Sequence, residues 1–259
     1  MNFSIIGEDK RMEYVANRLY TLGCEICKEI SYDLKDQVII LPPPVNKDII
    51  SKLSPYFNNI KYIYGGGITE EFIDNIPNSI HLIDYLSDQF VVEKNAYLTA
   101  KGILKHAFVN YNLEDIDILV VGYGRCGKAI ADQLNKYKVN ITIAVRNVCL
   151  ADDIKSNGYS YVDIHSLYLN NNYKFKYIFN TVPAMILDSA VIDTLNPFVK
   201  IFDIASKPGG VNFLYCKEKG IFAELKLGIP GKEFPQPAGE VIADFCYNHY
   251  KNNFSNPPE

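Results

Sequence analysis

Three glycines in Gly122-Tyr123-Gly124-Arg125-Cys126-Gly127 stand at the spacing G-x-G-x-x-G. That pattern suits the binding of phosphate by bare backbone. Gly122 permits a tight turn, Gly124 lets the main chain approach a pyrophosphate, and Gly127 lets a helix pack closely on a strand. A helix opening at this point offers free N–H groups and the positive end of its dipole to an anion. Alone the motif is weak, and its flanks decide its meaning. Before it, Ile116-Asp117-Ile118-Leu119-Val120-Val121 is a short apolar run suited to a strand buried on both faces. After it, Lys128 to Leu134 is rich in good helix formers. The combination predicts a dinucleotide-binding Rossmann unit.

The next strand sharpens the cofactor. An NAD site usually carries an acid at the end of the second strand, for the ribose 2′-hydroxyl. Here Ile141–Val145 ends in Arg146-Asn147. An arginine there fits a 2′-phosphate, so NADP is favoured and NAD stays open; the alternative is that Arg146 is an ordinary surface residue. Arg125, inside the turn, can also reach a phosphate. Two later loops follow strands, Asn180-Thr181-Val182-Pro183 and Asp203-Ile204-Ala205-Ser206-Lys207-Pro208-Gly209-Gly210. A Rossmann sheet delivers such loops to the nicotinamide. The expected cofactor contacts are therefore Gly122, Tyr123, Gly124, Arg125, Cys126, Gly127, Arg146, Asn147, Thr181, Val182, Pro183, Ala205 and Pro230. Lys207 can pair with a substrate carboxylate, and Gly209-Gly210 would leave room for a flat ring.

An earlier strand-turn-helix, Gly7-Glu8-Asp9-Lys10-Arg11, is no second dinucleotide site. Asp9 holds the place of the second glycine, where bulk and negative charge oppose a pyrophosphate. Lys10 and Arg11 open a helix at the edge of a sheet where ligands usually bind. They either hold a substrate carboxylate or form an exposed helix start. Cys24 and Cys27 make one C-x-x-C without a second pair or nearby histidines, and read as structural.

Along the chain, β-rich runs alternate with helical patterns, the signature of parallel sheets with crossover helices. Strands are expected at Phe3–Ile6, Glu25–Ile30, Val38–Leu41, Tyr62–Tyr64, Ile80–Asp84, Ile116–Val121, Asn140–Val145, Tyr177–Asn180, Val199–Ile204 and Ile221–Glu224. Helices are expected at Lys10–Leu22, Asp48–Tyr56, Gln89–Tyr111, from the glycine turn through Tyr137, and at Ala238–Tyr250. The fold class is α/β: two Rossmann-like parallel-sheet domains joined by a long helix, with a C-terminal helix returning to the first domain. The expected boundaries are 1–94 for a substrate-side domain, 95–114 for the linking helix, 115–236 for the NADP-binding domain and 237–259 for the returning helix and a frayed tail. The 259 residues are 48% hydrophobic and 22% charged, with net charge −4, which argues against nucleic-acid or membrane-surface partners. The N-terminus lacks signal-peptide features, so the cytoplasm is the expected location.

The segments Asp203–Gly210 with Asn212-Phe213, Gly228–Gly231, Pro237-Ala238-Gly239, Asn180–Pro183, the glycine turn and Asn95-Ala96-Tyr97-Leu98-Thr99-Ala100-Lys101-Gly102 together resemble the A subunits of dipicolinate synthase. The resemblance runs over nearly the whole chain, and the Ala205–Gly210 run is its most specific part. It implies a sporulation enzyme of the mother-cell cytoplasm. That enzyme oxidises a dihydrodipicolinate-type ring, drawn from the lysine pathway, to dipicolinate, with hydride passing to NADP. The resemblance also implies partnership with a flavoprotein-like B subunit; a homo-oligomer stays open. Lys101 stands where an acid is expected, and Lys207 where arginine is, which removes the bidentate fork. The expected catalytic residues are Lys207 and Thr99. The substrate contacts would be Arg11, Asp9, Asn95, Thr99, Ser206, Lys207, Gly209 and Gly210, around a ring in a cleft between the domains.

Two rival readings stand beside this one. A D-2-hydroxyacid dehydrogenase shares the layout but needs a late general base, normally histidine. His81, His106, His165 and His249 all lie outside the Gly228–Gly239 loops where it belongs. A non-catalytic NADP-binding regulatory subunit would keep the glycine turn without needing the cations.

Overall fold

The computed structural model describes residues 1–108, 114–170 and 172–254. Short β-branched and aromatic runs form the strands, and within each sheet the crossovers return the chain to the end where strands begin, so the described strand pairs are parallel. The chain begins with β1 (Asn2–Ile5), α1 (Lys10–Thr21), β2 (Glu25–Cys27), β3 (Gln37–Ile40), α2 (Ile50–Leu53), β4 (Ile60–Gly65), α3 (Glu70–Ile73), β5 (His81–Asp84) and the long α4 (Gln89–Ala107). It continues with β6 (Asp117–Val121), α5 (Arg125–Leu134), β7 (Asn140–Val145), α6 (Ala151–Ser156), β8 (Ser160–Asp163), β9 (Phe175–Asn180) and α7 (Ser189–Ile192). Last come β10 (Lys200–Asp203), α8 (Phe213–Glu218), β11 (Phe222–Leu225), α9 (Ile229–Glu233) and α10 (Pro235–Phe254). Two compact units result: Met1–Asn95 with the segment from Pro230 onward, and Ala96–Ile229. The first division falls inside α4, and the chain returns to the first unit at Pro230.

The first unit is a five-stranded sheet in the order β2-β1-β3-β4-β5. Its crevice therefore opens between the loops after β1 and β3, where the strand order reverses. One face is covered jointly by α1 and α10. Met12, Val15 and Leu19 share a core with Ile242, Ala243 and Cys246. Burying each such large side chain contributes about 1.5–3 kcal/mol. Gly239 makes this packing close, because a Cβ there would lie 2.5 Å from the Arg11 carbonyl oxygen. Cys24 is buried in the same core, and burial pushes its thiol pKa up.

The second unit is a six-stranded sheet in the order β11-β10-β9-β6-β7-β8. β6 is central, and the order reverses between β6 and β9, as in a dinucleotide-binding sheet. Leu119, Val121, Ile178 and Ile201 anchor a core against Leu187, Val191 and Cys216.

Several elements depart from expectation. β8 is a strand the sequence did not announce; Ser-Tyr-Val-Asp is short and only partly buried, so it carries no clear alternation. The helix expected over Asp48–Tyr56 is a single α turn between two 3₁₀ segments, with Pro55 early in the second. The helix after the glycine turn stops at Leu134, short of Tyr137. The last residues of the expected Gln89–Tyr111 helix, and the tail beyond residue 254, lie outside the described residues. No helix among those described is long and apolar enough to cross a membrane.

Candidate functional site

β6 ends at Val121 and the chain turns through Gly122, whose φ of +97° favours glycine. A Cβ there would also collide with the Thr181 hydroxyl and lie 2.9 Å from Val182 Cγ2. The Thr181 amide and hydroxyl both donate to the Val121 carbonyl at 2.9 Å, which fastens the β9 loop to the turn. Gly127 packs directly under the Gly122 carbonyl, and a Cβ would strike it. Gly124 is the opposite case: nothing lies within 4 Å of the place its Cβ would take. It is the N-cap of the ten-residue α5 and supplies no side-chain acceptor to the first amides. An anion at an uncapped helix start is stabilised by those amides and by the dipole. The cradle thus fits a dinucleotide pyrophosphate.

Other side chains around this turn divide by exposure. Arg125 and Arg146 are exposed. Tyr123 is buried, with the Lys128 ammonium 4.9 Å from its ring centroid and Tyr159 at 6.4 Å. Burial raises the pKa values of Tyr123 and of the Cys126 thiol. Tyr123 packs beneath the turn, and Cys126 is partly buried. Asn147 uses its side chain locally, accepting from the Cys149 amide at 3.0 Å.

The β9 and β10 loops meet through two residues that were not assigned to the site. Asn180 and Asp203 end neighbouring strands and are partners in register. Both are fully buried. The Asn180 amide nitrogen donates to Asp203 Oδ1 at 2.8 Å and to the Val182 carbonyl at 3.0 Å. Asp203 also accepts from the Ala205 and Gly210 amides, each at 3.0 Å. A polar residue closing each of two apolar strands was the available signal. Ala205 is buried, while Ser206, Lys207 and Pro208 form an exposed tip, and Pro183 is exposed as well. Gly210 corrects an expectation. It is buried, and a Cβ would strike the Asn180 amide and approach the Val182 carbonyl oxygen to 2.5 Å. Glycine is needed there for loop-on-loop packing, not to leave room for a ring.

The first unit corrects another. Arg11 Nε and Nη2 donate to the two Asp9 carboxylate oxygens at 2.8 and 2.7 Å, and Nη2 also donates to the Pro43 carbonyl at 2.7 Å. Gly231 leaves no space over the guanidinium, since a Cβ there would lie 2.9 Å from Nε. Asp9 caps α1 by accepting from the Arg11 amide. The Arg11 hydrogen bond holds the Asp9 carboxyl below its ordinary value, against the opposing effect of burial. The Nε and Nη2 donors of Arg11 are thus engaged within the protein rather than free for a substrate carboxylate. A neighbouring cavity of about 640 Å³ is lined by Glu8, Asp9 and Glu13 with Lys28 and Lys52. Asn95 is half-buried and Thr99 buried, and neither is without a partner. Pro230 is buried in the first unit. Among the histidines, His249 shares a 3.0 Å hydrogen bond with the Tyr64 hydroxyl, and burial lowers its pKa. His81 stacks on Tyr62, and His165 is exposed.

Two all-parallel sheets, one with a glycine-lined crevice where its strand order reverses, define the two-domain Rossmann-like dehydrogenase fold. D-lactate dehydrogenase from Escherichia coli shares it, with a TM-score of 0.64 over 97% of this chain and 98% of that one, at 11% identity. Within that class the chain is similar to the dipicolinate synthase A subunits. It is 29% identical to the Bacillus subtilis member over 183 residues, which are 69% of this chain and 61% of that protein. The crystal structure of the Bacillus halodurans member superposes with a TM-score of 0.83 over 96% of this chain and 97% of that one, at 21% identity. No family model matches the chain.

Proposed function

We propose that this chain is a pyridine-nucleotide oxidoreductase that aromatises a dihydrodipicolinate-type ring to dipicolinate, with NADP as the hydride acceptor. The observation that carries the reading is the uncapped, open cradle at Gly124, with Arg146 following the neighbouring strand β7, in a chain similar to the dipicolinate synthase A subunits. Backbone amides of the Gly122–Gly127 turn would hold the pyrophosphate, and Arg146 the 2′-phosphate. Thr181, Val182, Pro183 and Ala205 would flank the nicotinamide. The bound nicotinamide supplies a two-electron acceptor for the hydride, and the ring releases a proton as it becomes aromatic. Lys207 and Ser206, on the exposed tip, would bind a substrate carboxylate. Aromatisation supplies much of the driving force, so positioning outweighs a strong acid–base pair.

The fold also supports a 2-hydroxyacid dehydrogenase reading. The loops from Gly228 to Gly239 offer no histidine to take the alcohol proton, which disfavours it. Partnership with a flavoprotein-like B subunit and a role in the mother cell during sporulation follow from the family likeness. The test is NADP reduction at 340 nm, with dihydrodipicolinate or simple 2-hydroxy acids, with and without a co-expressed flavoprotein-like partner. Reduction with the ring alone supports the reading; reduction with 2-hydroxy acids alone, or with nothing, overturns it. Lys207→Met should raise KM for the ring about tenfold or more, the value of one charge-assisted hydrogen bond, and leave nucleotide affinity unchanged.

A further inference from the structure

We infer that Asp203, together with Asn180, is a positioning residue that fixes the Lys207 loop to the loop beside the glycine turn. The role rests on the reading of Lys207 as the carboxylate-binding group.

A carboxylate with no exposed surface is costly unless its oxygens are all used. Asp203 uses them on three N–H donors: Asn180 Nδ2, the Ala205 amide and the Gly210 amide. Among the described residues no lysine or arginine pairs with it. The charge is held by oriented amides alone, which demands that they stay where they are. Two of those amides bracket the exposed Ser206-Lys207-Pro208 tip, so the side chain closes the base of the loop. A turn inside it, from the Gly209 amide to the Ser206 carbonyl at 2.9 Å, tightens the tip.

The third donor carries the link outward. Asn180 gives its amide hydrogens to Asp203 and to the Val182 carbonyl, and its own Oδ1 accepts from the Val182 amide at 3.2 Å. Thr181, between them, is fastened to Val121 at the start of the glycine turn. Gly210 abuts the Asn180 amide so closely that no side chain fits. One chain of contacts thus runs from Val121 through Thr181 and Asn180 to Asp203 and the Lys207 loop. It sets where the lysine stands relative to the cofactor side of the same sheet.

Asp203→Asn tests this with little change of volume. It turns one acceptor oxygen into a donor and sets it against an existing N–H. Hydrogen exchange should show lost protection at the Ala205 and Gly210 amides. With NADP present, KM for the dihydrodipicolinate-type ring should rise about tenfold or more, while the nucleotide Kd, set mainly by the Gly122–Gly127 amides and Arg146 rather than by the nicotinamide end, changes by less than about threefold. Asn180→Ala, which leaves two of the three donors, should give the same pattern with a smaller size. It serves also if Asp203→Asn does not fold. Unchanged exchange at Ala205 and Gly210 would overturn the inference. So would an equal loss in nucleotide Kd, kcat and KM, which marks general damage to the unit. A wild-type chain that turns over no ring substrate would defeat the proposed function instead, and the exchange result would then decide the clamp by itself.

Discussion

The two sheets each have a crevice where strand order reverses, yet they use it differently. In the first unit the helix start is capped from within, although a cavity of about 640 Å³ lies beside it. Gly7 turns against Pro42, Asp9 caps α1 with its side chain, and Arg11 joins Asp9 to the Pro43 carbonyl under Gly231. In the second, the corresponding residue is Gly124. It caps α5 with no side chain and borders open space. One helix start is neutralised by the protein's own carboxylate and the other is left for an external anion. Parallel-sheet architecture therefore provides the location, and the residue at the helix N-cap determines whether a ligand can use it.

Exchanging that residue should break the contrast most strongly. Gly124→Asp places in the second unit what the first already has. The φ of −78° and ψ of −166° suit any residue, and aspartate is a good N-cap, so thermal stability should hold or rise. Dinucleotide affinity, measured by titration calorimetry, should fall about 100-fold, the equivalent of about 2.7 kcal/mol. Retained affinity would show that the turn is not the phosphate cradle.

In the first unit, Arg11→Met removes hydrogen bonds to Asp9 and Pro43. Denaturant unfolding should show a loss of about 2 kcal/mol, with dinucleotide affinity unchanged. A large rise in substrate KM without a stability loss would return Arg11 to the role its sequence position implied. Arg146→Ala sharpens the comparison on the ligand's side. Affinity for NADP should drop about tenfold while that for NAD stays level, since only the 2′-phosphate is affected.

The smallest expected effect is in the acid range. Asp9 is held below its ordinary value of 3.8 chiefly by Arg11. A carboxyl with a depressed folded pKa contributes stability that is full above its unfolded value and is lost as pH falls through the folded one. Wild-type stability should therefore decline from about pH 4 downward in this contribution. The Arg11→Met chain should decline less over the same window, as read by denaturation midpoints at each pH.

Much of this arrangement was legible in the amino-acid sequence. The glycine spacing, its apolar strand and its helix gave the class of fold, because those signals are local and set by backbone geometry. Ten of the eleven described strands showed as apolar or β-branched runs; β8 did not, because a short edge strand with one exposed and three partly buried residues needs no regular pattern. The family likeness was carried most specifically by the Ala205–Gly210 run, with the glycine turn, Asn95–Gly102 and the other loops from Asn180 onward in support.

Tertiary structure decided what those residues touch. Arg11 read as a free cation until the chain brought Asp9 and Pro43 to its guanidinium. Gly210 read as empty space until the Asn180 amide and the Val182 carbonyl filled it. Asp203 and Asn180 read as strand ends until their register set them side by side. The physical reason is the same in each case: a sequence states which groups can donate, accept or yield space, but partners 23 or 32 positions away, as for Asp203 and Asn180 or Arg11 and Pro43, are chosen only when the sheet assembles.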